Sequence, residues 1–170
     1  MKVITRRRGS GFTVVELVVV IILLSILSAT ALSRFSKPDI FAASVLATTL
    51  TAQIHFSAQA AQTRSTPVIL NVTPVDGRLE MLVASSSGTL RATDASLENI
   101  NFSLTNSGTL YPVANGSVWQ MTFAGKGDLI AASLDTDVLD PEAGITAHFS
   151  GDRDQFLCVQ PIGYVSEQAC

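Results

Sequence analysis

An apolar run near the N-terminus is the clearest pattern in the chain. Residues 14–32 read VVELVVVIILLSILSATAL, with few polar residues among them. At about 1.5 Å per residue, a helix of about 20 residues spans the roughly 30 Å core of a bilayer. Its β-branched residues would favour a strand in water, but lipid requires the backbone to be bonded within the segment. We therefore predict a membrane-spanning helix over residues 12–34, with the chain that follows lying outside the membrane.

A second helical pattern covers residues 39–62, which contain no Gly or Pro. Apolar residues recur there every three or four positions and form one helical face, as expected for an amphipathic stalk helix packed on a sheet. The face comprises Ile40, Ala43, Ala47, Leu50, Ile54, Ala58 and Ala61, and it is widened by Phe41, Val45, Ala52 and Phe56. We treat residues 12–62 as one long N-terminal helix that Pro38 kinks or interrupts between its two halves.

Residues 63–170 change to short alternating stretches with turn residues between them, which is typical of antiparallel strands. The alternating sets are Val68/Leu70/Val72, Leu79/Met81/Val83, Ile100/Phe102/Leu104 and Trp119/Met121/Phe123, followed by the runs 129–133, 145–149 and 156–159. Pro74–Gly77 separates the first two sets and predicts a hairpin. The predicted fold class is α+β: the long helix packs against an antiparallel β-sheet head of about seven strands.

Charge is distributed unevenly along the chain. Lys2 and Arg6–Arg8 precede the apolar run without any acidic residue, whereas the whole chain has 14 acidic against 11 basic residues. A basic N-terminus before an apolar span indicates membrane insertion with the basic end in the cytoplasm and the acidic body exported. The 47% hydrophobic and 15% charged composition excludes a disordered chain. The net charge of −3 gives no reason to expect a nucleic-acid partner.

Glu16 is the unusual residue of the apolar run. A carboxylate at the centre of a membrane helix costs about 2.5–3.5 kcal/mol, and less near its end, so such residues are usually functional and paired. Glu16 belongs to the segment Gly11-Phe12-Thr13-Val14-Val15-Glu16-Leu17, which follows a basic leader and leads into the apolar run. This arrangement resembles the prepilin signal of the type IV pilin superfamily, which includes major pilins, minor pilins and the pseudopilins of type II secretion.

The resemblance implies how the N-terminus is processed. A prepilin peptidase would cut between Gly11 and Phe12, release residues 1–11 as a leader peptide and methylate the new terminal Phe12. Glu16 would then meet the Phe12 amine of a neighbouring subunit and set the axial register. A buried amine and a buried carboxylate are each costly alone and tolerable as a pair.

The resemblance also implies a function in pilus assembly. The chain looks similar to a minor prepilin of the mannose-sensitive haemagglutinin pilus system: a non-enzymatic structural subunit, single-pass in the bacterial inner membrane with a periplasmic head, then part of a pilus or a periplasmic pseudopilus. Its expected partners are other pilin or pseudopilin subunits, prepilin peptidase and the inner-membrane assembly platform. The alternatives are a minor type II secretion pseudopilin, and a membrane-anchored periplasmic binding or adhesin domain. An ordinary secretory signal cut after Ala31 is a further alternative.

Two features of the head suggest local chemistry. Cys158 and Cys170, the only cysteines, are expected to form a disulfide that closes a short C-terminal loop in an oxidising compartment. Four carboxylates, of Asp135, Asp137, Asp140 and Glu142, offer the oxygen ligands that calcium prefers. A solvated acidic turn is the simpler interpretation, because the stretch lacks the glycine and ligand spacing of an EF-hand. No hydrolase, metalloprotease or P-loop motif occurs, so we expect no enzymatic activity and, calcium aside, no cofactor.

Overall fold

A computed structural model describes residues 13–35, 41–64, 66–151 and 153–170, and for residues 29–35 it describes the backbone only. The chain divides into two units, within residues 1–38 and 39–170, and each is described by itself. The predicted leader, the predicted cleavage site and the predicted break at Pro38 lie outside the described residues.

The described residues of each unit include a long helix. Helix α1 spans Val14–Phe35 in the first unit, and helix α2 spans Ala42–Thr63 in the second. The predicted apolar face of α2 is buried wherever it is described, from Ala43 to Ala61. The predicted face is too wide, since two of the residues added to it, Phe41 and Val45, are 66% and 57% exposed.

The second unit contains two antiparallel sheets, in which hairpin neighbours pair along most of the chain. The larger, sheet A, has the order β3-β2-β1-β6-β7-β8, and the smaller, sheet B, has the order β11-β10-β9-β4-β5. The strands are β1 (Val68–Val75), β2 (Arg78–Ser85), β3 (Gly88–Ser96), β4 (Asn101–Asn106), β5 (Thr109–Pro112), β6 (Trp119–Phe123), β7 (Leu129–Leu134), β8 (Asp137–Leu139), β9 (Ile145–Ser150), β10 (Gln155–Val159) and β11 (Val165–Ser166).

The hairpin between β1 and β2 follows from the sequence at its turn. Val75 pairs with Arg78, which leaves Asp76 and Gly77 as the two loop residues. Both have positive φ, 48° and 75°. A two-residue loop of this kind matches the twist of the flanking strands and favours Asp-Gly. The predicted hairpin is therefore confirmed.

The core lies where α2 meets the inner faces of both sheets, because α2 contacts strands of each. Within this core, aromatic rings of the two sheets pack against each other. The Phe102 and Phe149 rings of sheet B stack with centroids 4.9 Å apart, and the Phe102 ring lies 6.0 Å from that of Trp119 in sheet A. Trp119 is fully buried. The α+β class, with a helix packed on antiparallel sheets, is confirmed.

Candidate functional site

The start of α1 is defined by hydrogen bonds to Thr13. The Glu16 amide donates to the Thr13 side-chain Oγ1 at 3.2 Å. The Leu17 amide donates to the Thr13 carbonyl at 3.2 Å. Thr13 thus acts as the N-cap, since its side chain satisfies an amide that has no partner within the helix. Glu16 lies in the first helical turn with its side chain exposed.

The side chains of α1 that are described form an apolar surface. Large residues from Val14 to Leu27 are 41–78% exposed. Two hydroxyl groups of α1 bond to its own backbone: the Ser25 hydroxyl donates to the Ile21 carbonyl at 2.8 Å, and the Ser28 hydroxyl donates to the Leu24 carbonyl at 2.7 Å. Such bonds satisfy a hydroxyl without any partner outside the helix.

Among the described residues, no helix combines the length and the apolar character that a membrane crossing requires.

The predicted processing residues are divided between described and undescribed parts of the chain. Gly11 and Phe12 lie outside the described residues, whereas Glu16 lies within them. The cleavage, the methylation and the register role of Glu16 therefore stay predictions.

A disulfide closes the C-terminal loop. Cys158 on β10 and Cys170 are joined, with their Cα atoms 5.0 Å apart. The Cys170 amide donates to the Thr146 hydroxyl on β9 at 3.0 Å. The last residue of the chain is therefore held on sheet B by a covalent bond and a hydrogen bond.

The tip of this loop is anchored in a close junction. Gly163 packs so tightly against the Gly127 carbonyl that a Cβ there would overlap the oxygen, and Ala58 of α2 lies beside it. The Leu129 amide donates to the Pro161 carbonyl at 2.7 Å. The β6–β7 turn, the disulfide loop and α2 thus meet at one point. Beside Gly163, the loop presents Ile162 and Tyr164, which are 68% and 52% exposed.

The calcium candidates do not form a site in the described residues. Asp135 Oδ1 accepts from the Val118 amide at 2.7 Å, and Asp140 Oδ1 accepts from the Glu142 amide at 2.9 Å. Across the described part of the chain, no three His, Cys, Asp or Glu side chains converge to hold a metal. Two of these carboxylates stabilise backbone turns, in keeping with the simpler interpretation of an acidic turn, and calcium binding stays an untested alternative.

The sequence did not predict one contact between side chains on neighbouring strands. His148 on β9 stacks on Phe156 of β10, with ring centroids 4.3 Å apart. Its Nε2 lies 3.6 Å from Asp154 Oδ1, which is too long for a hydrogen bond. The three residues line up only after β9 and β10 pair, so no sequence motif marks them. His55, by contrast, is exposed on α2.

Comparisons with known proteins bear on the N-terminus. Residues 6–32 match the family model described as the prokaryotic N-terminal methylation motif. No curated protein sequence matches the chain significantly. A solved structure similar to this chain is that of the minor pseudopilin EpsH from the type II secretion system of Vibrio cholerae: it has 14% identity and a TM-score of 0.46, with 75% of this chain and 93% of that chain covered. At that TM-score the likeness supports no argument about function.

The matched segment contains Arg6–Arg8 of the basic leader, the Gly11–Leu17 motif and the whole apolar run over residues 14–32 from which the resemblance was drawn. Residues 6–32 therefore carry the prokaryotic N-terminal methylation motif, which confirms the resemblance to the type IV pilin superfamily.

Proposed function

We propose that this chain is a minor type IV pilin, a non-enzymatic subunit that acts in pilus assembly. The single observation that supports this most is the methylation motif over residues 6–32, which includes most of α1 and its exposed apolar surface. An apolar surface of this extent is costly in water and is expected to be covered by lipid or by other subunits. In this proposal α1 is covered first by the inner membrane and then by neighbouring subunits.

The proposed sequence of events has three steps. Residues 12–34 insert in the inner membrane with the basic leader in the cytoplasm; this step is supported by the motif match and not by the described helices. Prepilin peptidase then cuts between Gly11 and Phe12 and methylates the Phe12 amine. The mature subunit joins others through α1, with Glu16 facing the amine of a neighbour, while the acidic head stays in the periplasm or on the filament.

The test is the intact mass of the chain purified from cells with and without prepilin peptidase. We expect the peptidase-containing strain to yield a chain without residues 1–11 that carries one methyl group on Phe12, and the other strain to yield the full precursor. A cut after Ala31 in both strains would make the chain an ordinary secreted domain. An uncut chain in both strains would favour a membrane-anchored periplasmic domain. Either result would overturn the proposal.

A further inference from the structure

We propose that Asn115 is a deamidation site which the fold holds unreactive, and that its modification permanently releases the β5–β6 loop from the β1–β2 turn. This inference does not depend on the proposed function. It begins from the sequence, because Asn115-Gly116 is the only Asn-Gly pair in the chain. Glycine has no side chain to shield its amide nitrogen, so an asparagine before it cyclises most readily. Both residues are exposed, and water therefore reaches them.

Two hydrogen bonds hold this pair against the first hairpin of sheet A. The Asp76 amide donates to Asn115 Oδ1 at 3.0 Å. The Gly116 amide donates to the Pro74 carbonyl at 2.7 Å, and Pro74 itself is buried. We call these two bonds the clasp. Because β5 belongs to sheet B and β6 to sheet A, the clasp fixes the loop by which the chain passes from one sheet to the other.

The clasp occupies the two groups that deamidation requires. In that reaction the Gly116 nitrogen attacks Asn115 Cγ, a C–N bond forms, and Nδ2 leaves as ammonia with the proton of the Gly116 amide. Water then opens the cyclic imide at either carbonyl and gives aspartate or isoaspartate. In the folded chain the Gly116 amide is bonded to Pro74 and the Asn115 side chain is directed to the Asp76 amide. Cyclisation therefore requires the clasp to open first, as a local unfolding step.

Modification makes that opening permanent. Isoaspartate adds one carbon to the main chain before Gly116, so the two bonds of the clasp no longer match their partners in the β1–β2 turn. The clasp borders a cleft of about 470 Å³, whose lining includes Pro74 and Asn115 together with Phe102 of sheet B. Loss of the clasp is expected to open this cleft further to water.

The first test compares the rate of deamidation in the folded and the unfolded chain. The full-length chain is incubated in detergent at mildly alkaline pH, with and without an unfolding concentration of urea, and Asn115 is followed by peptide mass. We expect the folded chain to react at least about tenfold more slowly, since two hydrogen bonds must break before cyclisation. Equal rates, or faster reaction in the folded chain, would overturn the inference.

The second test loosens the clasp without changing the reacting pair. Gly77, in the β1–β2 turn, has φ +75°, and no described residue lies within 4 Å of its would-be Cβ. Alanine strains the backbone at such an angle, so Gly77→Ala should speed deamidation of Asn115 about fivefold or more. Gly108→Ala, in the β4–β5 turn, is the matched control, because Gly108 has φ +78° and is equally open. Its rate should stay within about twofold of wild type, and equal acceleration in both variants would show that the clasp is not what limits the reaction.

The third test concerns the release. Deamidation adds a negative charge, so the modified chain can be separated by ion exchange and its hydrogen exchange measured. We expect the Asp76 amide, which loses its partner on Asn115, to exchange at least about tenfold faster than in the unmodified chain. Unchanged exchange at Asp76 would mean that modification does not release the loop, and it would overturn that part of the inference. Asn115→Gln should show no mass change at this position, which confirms where the reaction occurs.

Discussion

At the scale of single residues, Gly163 shows how one position without a side chain holds a junction together. Its φ is +71°, a backbone conformation that costs an ordinary residue roughly 1–2 kcal/mol. The space for a Cβ is also taken, by the Gly127 carbonyl and the Ala58 side chain. Both the backbone angle and the close approach therefore require glycine at the tip of the disulfide loop.

We expect Gly163→Ala to lower the free energy of unfolding by about 3 kcal/mol or more, since overpacking adds to the backbone strain. Gly116→Ala is the matched control: Gly116 has φ +85° but nothing lies within 4 Å of its would-be Cβ. It should show the backbone cost alone, about 1 kcal/mol. Urea unfolding followed by the fluorescence of Trp119, the only tryptophan and fully buried, measures both. Equal losses in the two variants would contradict the packing argument.

At the scale of elements, the buried amide of Asn106 ties β4 to the loop between β8 and β9. Its Nδ2 donates to the carbonyls of Asp140 and Gly144 at 2.7 and 2.8 Å. Its Oδ1 accepts from the Asp140 amide at 2.8 Å. Because Asn106 is only 4% exposed, water cannot easily replace these bonds.

Asn106→Ala should therefore destabilise the chain by about 3 kcal/mol, since it leaves buried backbone groups without partners. Asn106→Asp should be at least as damaging, because a carboxylate would face two carbonyl oxygens in place of the amide donor. Asn101→Ala, at an exposed position of the same strand, provides the control and should stay within about 0.5 kcal/mol of wild type. An Asn106→Ala variant as stable as the control would show that the loop is held by other contacts.

The strands that the sequence did not predict share a position in the fold, and this position explains why they were not predicted. β3, β5, β8 and β11 have no counterpart among the predicted strands, and each lies at an edge of its sheet. An edge strand is bonded on one side only, and it is often short or polar. β3 illustrates this, because no residue from Gly88 to Ser96 is buried. Alternation of buried and exposed residues, which is the signal for a strand, is therefore absent where only pairing defines the strand.

At the scale of the whole molecule, the proposed function predicts a role in assembly for the charge of Glu16, near the start of α1. Glu16→Gln keeps the size and the helical position of the side chain but removes the charge. We expect cleavage after Gly11 to continue and incorporation into filaments to fall at least tenfold, because the neighbour's Phe12 amine would lose its buried partner. Filaments sheared from cells and probed for this chain give the measurement.

The control for this variant is Glu98→Gln in the head, where the glutamate is exposed. It should be processed and incorporated like wild type. Normal incorporation of Glu16→Gln would mean that the carboxylate does not set the register. Loss of incorporation in both variants would point to a general effect of charge on the chain instead of a pairing at α1.

The sequence by itself determined the features that local chemistry controls. The methylation motif, the two helical patterns, the Asp76-Gly77 turn and the strands with alternating burial could be predicted because each depends on residues close together in the chain. Only the tertiary structure decided the division into two sheets, the four edge strands and the junction at Gly163. The sheet division and the junction depend on residues far apart in sequence, such as Gly127 and Gly163. The edge strands pair with their neighbours in the chain, but without a buried face only that pairing defines them. The acidic stretch near Asp140 was expected from the sequence to be a turn, and the structure adds which backbone amides its carboxylates accept from.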